Sequence, residues 1–288
     1  MTESDDLDPP ETAEETPALD ALLVAIYDRY HYDFRDYARA SLHRRVRSAM
    51  VRLDIPSIHE MRRRVTEEPD LFSRLLAYLT VQLSELFRDP PYFKTFREQI
   101  VPVLRTYASR KLWVAGCSTG EEAYSFAIIL REEGLLERTQ IYATDIFEKS
   151  LRIAEAGIYE LDRMRLFTQN YLAAGGTRSL AEYYTTTTTG GAVFDRSLRE
   201  RIVFADHSLT TDSVFAEMHV VSCRNVFIYF TKPLQDRVLG LFRDSLVRTG
   251  FLGLGPRESL DLSPVRDVFT PLPDRWYQKR PPGQKELR

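Results

Sequence analysis

The chain has 288 residues, 43% of them hydrophobic, with a formal charge of −3. That content can bury one large core or two modest ones, and the charge gives no ground for a nucleic-acid partner. No apolar stretch approaches the ~18 residues of a membrane span, the acidic start reads against a signal peptide, and two cysteines are too few for a disulfide framework. The expectation is a cytoplasmic monomer with no direct membrane insertion.

Residues 1–20 carry eight acids and no base, so residues 1–17 are expected to form a disordered acidic tail. From Leu19 to about Phe96 the period is helical, with Phe34, Tyr37, Leu42, Val46, Ala49, Met50 and Leu53 recurring at steps of three and four. Pro56 interrupts this pattern, Ser57 is placed to cap the next helix, and Pro69 interrupts again. Leu79, Leu83, Leu86 and Phe87 predict one more helix, stopped by Asp89-Pro90-Pro91, with Thr80, Ser84 and Arg88 as a polar stripe beside the apolar face. A helical domain and linker helix over 18–88, a second domain over 89–281 and a short tail over 282–288 are expected.

Residues 35–52 hold six arginines against one acid, Asp36. Arg35, Arg39, His43 and Arg47 recur every fourth residue, with Arg44, Arg45 and Arg52 nearby. Three readings compete: a solvated helix face, a nucleic-acid contact, and a docking face for an acidic helical partner. The last is favoured, because no recognition-helix arrangement accompanies the arginines and complementary charge would speed encounter.

From Lys111 the style changes. LWVAG, IYATD, RIVFAD, HVVSC and FLGLG are short apolar runs, and helical stretches separate several of them. This alternation predicts an α/β domain with a doubly wound, mostly parallel, Rossmann-like sheet. Ligands of such sheets bind outside the carboxyl ends of the strands, near the switch in strand order. The positions to inspect are Gly116 to Glu122, Asp145, Asp206 to Leu209, and Arg224 to Tyr229.

The first of these turns, GCSTGEE, puts Glu121 and Glu122 directly after its second glycine. An acid there would repel a pyrophosphate by about 1–4 kcal/mol. It suits S-adenosylmethionine, whose sulfonium and ammonium are cationic and whose carboxylate can take the turn's backbone amides. Gly116 and Glu121 are assigned to the cofactor, Glu122 to ordinary stabilisation of a helix start, and Asp145 to the ribose hydroxyls. A dinucleotide remains the alternative at this point. The five histidines, His31, His43, His59, His207 and His219, show no ligand spacing, and no metal is expected.

The order LTVQLSELFRD, AGCSTGEEAYSFAIIL, ATDIFEKSLRIAEAGIY and VSCRNVFIYFTKPLQ resembles the chemotaxis receptor methyltransferase (CheR) family from about Leu19 to Trp276. The resemblance implies a class I methyltransferase domain behind a helical N-terminal domain. It implies methylation of glutamate side chains on the cytoplasmic helices of methyl-accepting chemotaxis receptors, with S-adenosylhomocysteine as product. At the cofactor it implies Gln82, Ser84 and Arg88 where the family has Asn, Thr and Arg, Ser208 and Leu209 near the adenine, and Arg224 with Asn225 lining the pocket. Gln82, Ser84 and Ser208 depart from the family residues. Arg88 and Tyr229 would flank the methyl group as the catalytic pair, and Arg35, Arg39, Arg44 and Arg47 would dock the receptor. No general base is required, since a glutamate is already ionised at pH 7. A small β-subdomain is expected within 171–204, including the tract Thr185 to Gly191. Cys117 and Cys223 read as small core residues brought side by side at two strand ends. Two other functions stay open: methylation of another protein or small acid, and a catalytically silent sensor of the cofactor.

Overall fold

A computed structural model describes residues 15–80, 82, 84–188 and 190–281. The described residues divide into two compact units: those within 15–80 with Tyr229–Leu234, and those within 82–228 with 235–281. Of the acidic tail expected over 1–17, residues 1–14 lie outside the described residues, as does the tail over 282–288. Glu15, Thr16 and Pro17 are the opening of a helix.

The first unit contains α1 (Glu15–Tyr30), α2 (Arg39–Leu53), α3 (Ile58–Glu67) and α4 (Pro69–Leu79). Each helix buries residues at steps of three and four, for example Leu19, Leu22, Leu23 and Ile26 of α1 and Leu42, Val46 and Ala49 of α2. The punctuation is local. Asp54 closes α2 in the left-handed region at φ 55°, the Ser57 hydroxyl accepts the Glu60 N–H at 3.1 Å to cap α3, and Pro69 opens α4, where its missing N–H is harmless. The Tyr30 ring stacks on Phe72 at 3.9 Å.

The helix expected through Thr80, Ser84 and Arg88 does not form. Thr80 is already extended at φ −102° and ψ 146°, and Phe87 and Asp89 have φ of 53° and 58°. Side chains of the second unit take the backbone groups that a helix would have used. Phe87 N–H donates to the Ser125 hydroxyl at 2.8 Å, Asn170 donates to the Leu86 carbonyl at 3.1 Å, and Arg224 donates to the Arg88 carbonyl at 2.9 Å. Tertiary partners thus outcompete the helical pattern, which lacked a favourable end ahead of Pro90 and Pro91.

In the second unit α5 (Pro90–Thr95) and α6 (Val101–Leu104) precede β1 (Arg110–Ala115), α7 (Glu121–Glu132), β2 (Thr139–Asp145), α8 (Glu148–Ala156) and β3 (Ile158–Glu160). Then come α9 (Met164–Ala173), β4 (Tyr184–Thr186), β5 (Gly191–Phe194), α10 (Arg196–Arg199), β6 (Ile202–Asp206) and β7 (Met218–Cys223). The remaining elements are α11 (Lys232–Ser245), which begins in the first unit, β8 (Leu246–Leu254), β9 (Phe269–Pro271) and β10 (Trp276–Lys279).

Seven strands form one sheet in the order β6-β2-β1-β7-β8-β10-β9. Neighbours from β6 to β8 are parallel, and β10 runs antiparallel to both β8 and β9. Strand order reverses between β1 and β7, so the crevice predicted for a ligand opens at their carboxyl ends. The central helix α7 is buried almost all round, from Ala123 to Leu130, as expected of a helix packed into a large core.

A second sheet, β3-β5-β4, is antiparallel. It is the small β-subdomain, but it begins earlier than 171: β3 at Ile158 pairs with Val193 of β5. Three residues are too few to show a strand period, so β3 was invisible before its partner was known. The β1–β7 ladder ends at Val114 opposite Ser222, leaving Cys223 one residue past that end and Cys117 three. Both thiols are buried, and burial raises their pKa well above the ordinary value.

Candidate active site at the strand tips

The turn after β1 is built for close approach. Gly116 has φ 72°, and a Cβ there would lie 2.6 Å from Val226 Cγ2. Gly120 has φ 92°, and its Cβ would lie 2.6 Å from Ala154 Cβ. Only glycine satisfies both the conformation and the space. Between them Ser118, also left-handed at φ 49°, donates its N–H to Asp145 Oδ2 at 2.8 Å.

Asp145 ends β2. Its other oxygen accepts the Phe147 N–H at 3.0 Å, so this one carboxylate fixes two adjacent turns. In the sheet register it lies opposite Asp206, the last residue of β6. Burial raises the Asp145 carboxyl above its ordinary 3.8, against the pull of the backbone amides. Asp206 is also raised, by burial first and then by Asp212. Two neighbouring acids with remaining lone pairs at the strand tips can accept hydroxyl donors and attract cations.

The two glutamates after Gly120 face different partners. Glu121 is fully buried; its oxygens accept Arg163 Nη1 at 2.8 Å and the Thr119 hydroxyl at 2.7 Å. It braces the turn, and its charge is committed to Arg163. Glu122 faces the switch point, where it accepts the Ser222 hydroxyl at 2.5 Å and Arg224 Nη1 at 3.0 Å. One helix position is a rotation of about 100°. Sequence alone does not say which acid faces the sheet.

Arg224 is the most heavily committed group of the site, with its side chain 2% exposed. Besides Glu122 it donates to Asp89 Oδ2 at 2.6 Å, and its guanidinium lies 4.1 Å from the Tyr92 ring centroid. Asn225 follows in the left-handed region at φ 60°, and its backbone N–H donates to Glu258 Oε2 at 3.0 Å. Gln82 lies at the same turns: its Oε1 accepts the Ser118 hydroxyl at 3.3 Å and also the Ser150 hydroxyl. Ser84 contributes its carbonyl, which accepts Arg163. Ser208 N–H donates to Asp212 at 2.8 Å, and Leu209 is buried while its carbonyl accepts Arg237 at 3.2 Å.

The structure therefore brings Gln82, Gly116, Asp145 and Arg224 into one constellation with Asn225, and adds Glu122, Asp206 and Glu258. Tyr229 groups with the helical unit: its ring lies 4.3 Å from the Arg45 guanidinium and its carbonyl accepts the Ala38 N–H at 2.8 Å. Desolvation lowers the Arg45 pKa from its ordinary value. Half of the six arginines over residues 35–52 are paired with acids. Arg35 binds Asp33 at 2.8 Å, Arg39 binds Asp20, and Arg47 binds Glu15 at 2.7 Å, whereas Arg44 and Arg52 are exposed.

Among the described residues no group of three His, Cys, Asp or Glu is arranged to hold a metal ion. Nor is any described helix long and apolar enough to cross a membrane.

Comparison with known proteins matches residues 82–277 to the CheR methyltransferase SAM binding domain and residues 17–80 to the CheR methyltransferase all-alpha domain. "Putative methyltransferase Cher3" of Pseudomonas putida is 55% identical over 260 residues, spanning 90% of this chain and 95% of that protein. A chemotaxis protein methyltransferase of Listeria innocua is 27% identical, spanning 86% of this chain and 91% of that protein. The solved glycopeptide N-methyltransferase MtfA, complexed with sinefungin, aligns over 60% of this chain at 13% identity with a TM-score of 0.35; the chain spans 50% of that structure's length.

Proposed function

Because this chain belongs to the CheR methyltransferase family, we propose that it methylates glutamate side chains on the cytoplasmic helices of methyl-accepting chemotaxis receptors. The methyl donor would be S-adenosylmethionine, and the products a glutamate methyl ester and S-adenosylhomocysteine. The observation that carries the donor assignment is the pairing of Asp145 with Asp206 at adjacent strand tips. Asp145 also takes the Ser118 and Phe147 amides, which a nucleotide phosphate would otherwise use. Such a crevice favours a cationic nucleoside over a polyphosphate.

The bound donor supplies an electrophilic methyl carbon on a sulfonium. Gln82 and Gly116 shape the turn against which it lies, Asp145 and Asp206 accept its hydroxyl donors, and Ser208 and Leu209 border the base. The acids of the GEE turn, Glu121 held by Arg163 and Glu122 held by Arg224, are assigned to the side of the pocket that meets the cationic amino acid end. A substrate carboxylate oxygen attacks in line as the carbon–sulfur bond breaks, and no proton moves. Opposite charges are neutralised during this step, so water, which solvates both, opposes it; an oriented and dry site lowers the barrier. Arg88 would hold the incoming carboxylate, its main chain pinned through the Arg224 contact to its carbonyl at 2.9 Å. Receptor docking is assigned to the exposed Arg44 rather than to the paired Arg35, Arg39 and Arg47.

Incubation with labelled methyl donor and membranes bearing cognate receptors tests the reading. Base-labile label on receptor glutamates is the expected result. Label on another protein or on a small acid would redirect the substrate assignment, and donor binding without label anywhere would mark a silent sensor.

A further inference from the structure

The loop after β7 carries Arg224 and Asn225, and one residue far along the chain ties it down. Glu258 is 4% exposed and follows β8, the parallel neighbour of β7, in which Cys223 lies opposite Leu254. Its Oε1 accepts the Phe227 N–H at 2.8 Å. Its Oε2 accepts the Asn225 N–H at 3.0 Å and the Gly255 N–H at 2.7 Å. Amides converging from a left-handed residue and its successors form an anion-binding concavity. Here the anion is internal.

Three further features fit this arrangement. A Cβ on Gly255 would stand 2.7 Å from Glu258 Oε2 and 2.8 Å from the Asn225 nitrogen, so glycine is required for the carboxylate to reach all three amides. The turn from Gly255 to Glu258 is closed by the Glu258 N–H donating to the Gly255 carbonyl at 3.0 Å. Gln235 holds the other side of the loop, donating to the Phe227 carbonyl at 2.9 Å. Burial raises the Glu258 carboxyl above its ordinary 4.5, while the amides of Gly255, Asn225 and Phe227 pull the other way.

We infer that Glu258 is a positioning residue of the methyl-donor site: its carboxylate fills the amide concavity of the post-β7 loop and fixes the backbone that presents Arg224 and Asn225. This role rests on the donor site proposed above. Glu258 touches no reacting atom. It acts by fixing Asn225 in the left-handed conformation that asparagine tolerates better than most residues. It also occupies the second set of strand-tip amides, as Asp145 occupies the first, which leaves the crevice poor in free anion donors.

The test uses the full chain and variants Glu258→Gln and Glu258→Ala, with S-adenosylhomocysteine binding measured by calorimetry and folding followed by thermal unfolding. In Glu258→Gln an amide group meets backbone N–H groups, and affinity is expected to fall about tenfold. In Glu258→Ala a similar loss is expected. Sodium formate should restore most of it and sodium chloride at equal ionic strength should not, because a small carboxylate can refill the concavity. A residue that served stability alone would give no formate-specific recovery. Affinity within about twofold of the parent in both variants, or a loss in Glu258→Ala that formate leaves untouched, overturns the inference. If Glu258→Ala fails to fold, Glu258→Gln decides, loss supporting the role and parental affinity refuting it. Absence of binding by the parent chain would instead refute the donor site itself.

Discussion

One arginine–acid pair from each unit shows how burial changes the work such a pair does. On the helical unit, Arg39 with Asp20 has side chains 33% and 58% exposed. At the strand tips, Arg224 with Glu122 has side chains 2% and 15% exposed. In the first setting water screens the attraction and solvates each partner alone, so the pair decorates a helix face and is worth at most about 1 kcal/mol. In the second, each charge depends on the other because solvent is excluded, and breaking the pair strands a buried ion. A run of arginines in sequence therefore reports little about function until burial is known. Half of the conspicuous series over residues 35–52, namely Arg35, Arg39 and Arg47, is matched to acids of its own unit, while the single Arg224 organises Glu122, Asp89 and the Arg88 carbonyl.

The largest effect that would break this contrast concerns Arg224. Arg224→Ala should cost about 3–5 kcal/mol in urea unfolding, with little relief from added salt, because Glu122, only 15% exposed, loses its cation. A loss no larger than that of a surface pair would erase the distinction.

An intermediate effect concerns Asp145. Its folded pKa lies above the ordinary 3.8, so in the window between those values the folded chain binds more protons than the unfolded one. Stability from this group is therefore present at low pH and lost as pH rises through that window. Donor affinity should run the opposite way, falling as acidification neutralises the carboxylate. Asp145→Asn should weaken S-adenosylmethionine binding by about tenfold or more and flatten both pH dependences, measured by calorimetry and by unfolding at stepped pH.

The smallest effect sharpens the other side. Arg39→Ala should change stability by no more than about 1 kcal/mol, a difference that shrinks further as salt is added. A large, salt-insensitive change would mean that the α2 pairs are structural after all.

The strand tips were readable in the sequence because a parallel sheet places its functional residues directly after apolar runs: Gly116, Asp145, Asp206 and Arg224 all stand there. Three parts were not readable. The segment from Gln82 to Asp89 has a helical apolar period, but its backbone is satisfied by Ser125, Asn170 and Arg224 from distant positions. β3 is too short to show a period of its own. Glu258 is a lone acid after a glycine turn, and only the adjacency of β7 and β8 reveals what it binds.

Local chemistry by itself determined the α/β pattern, the helical first unit, the glycine turns and the acidic character of the site, because periodicity, turn residues and charge act over a few residues. Tertiary structure alone decided which of two consecutive glutamates faces the switch point, which arginines are already paired, and which carboxylates consume the backbone amides at the strand ends. Those outcomes depend on burial and on partners distant in sequence, Glu121 with Arg163 and Asn225 with Glu258, and such energies exist only once the chain has folded.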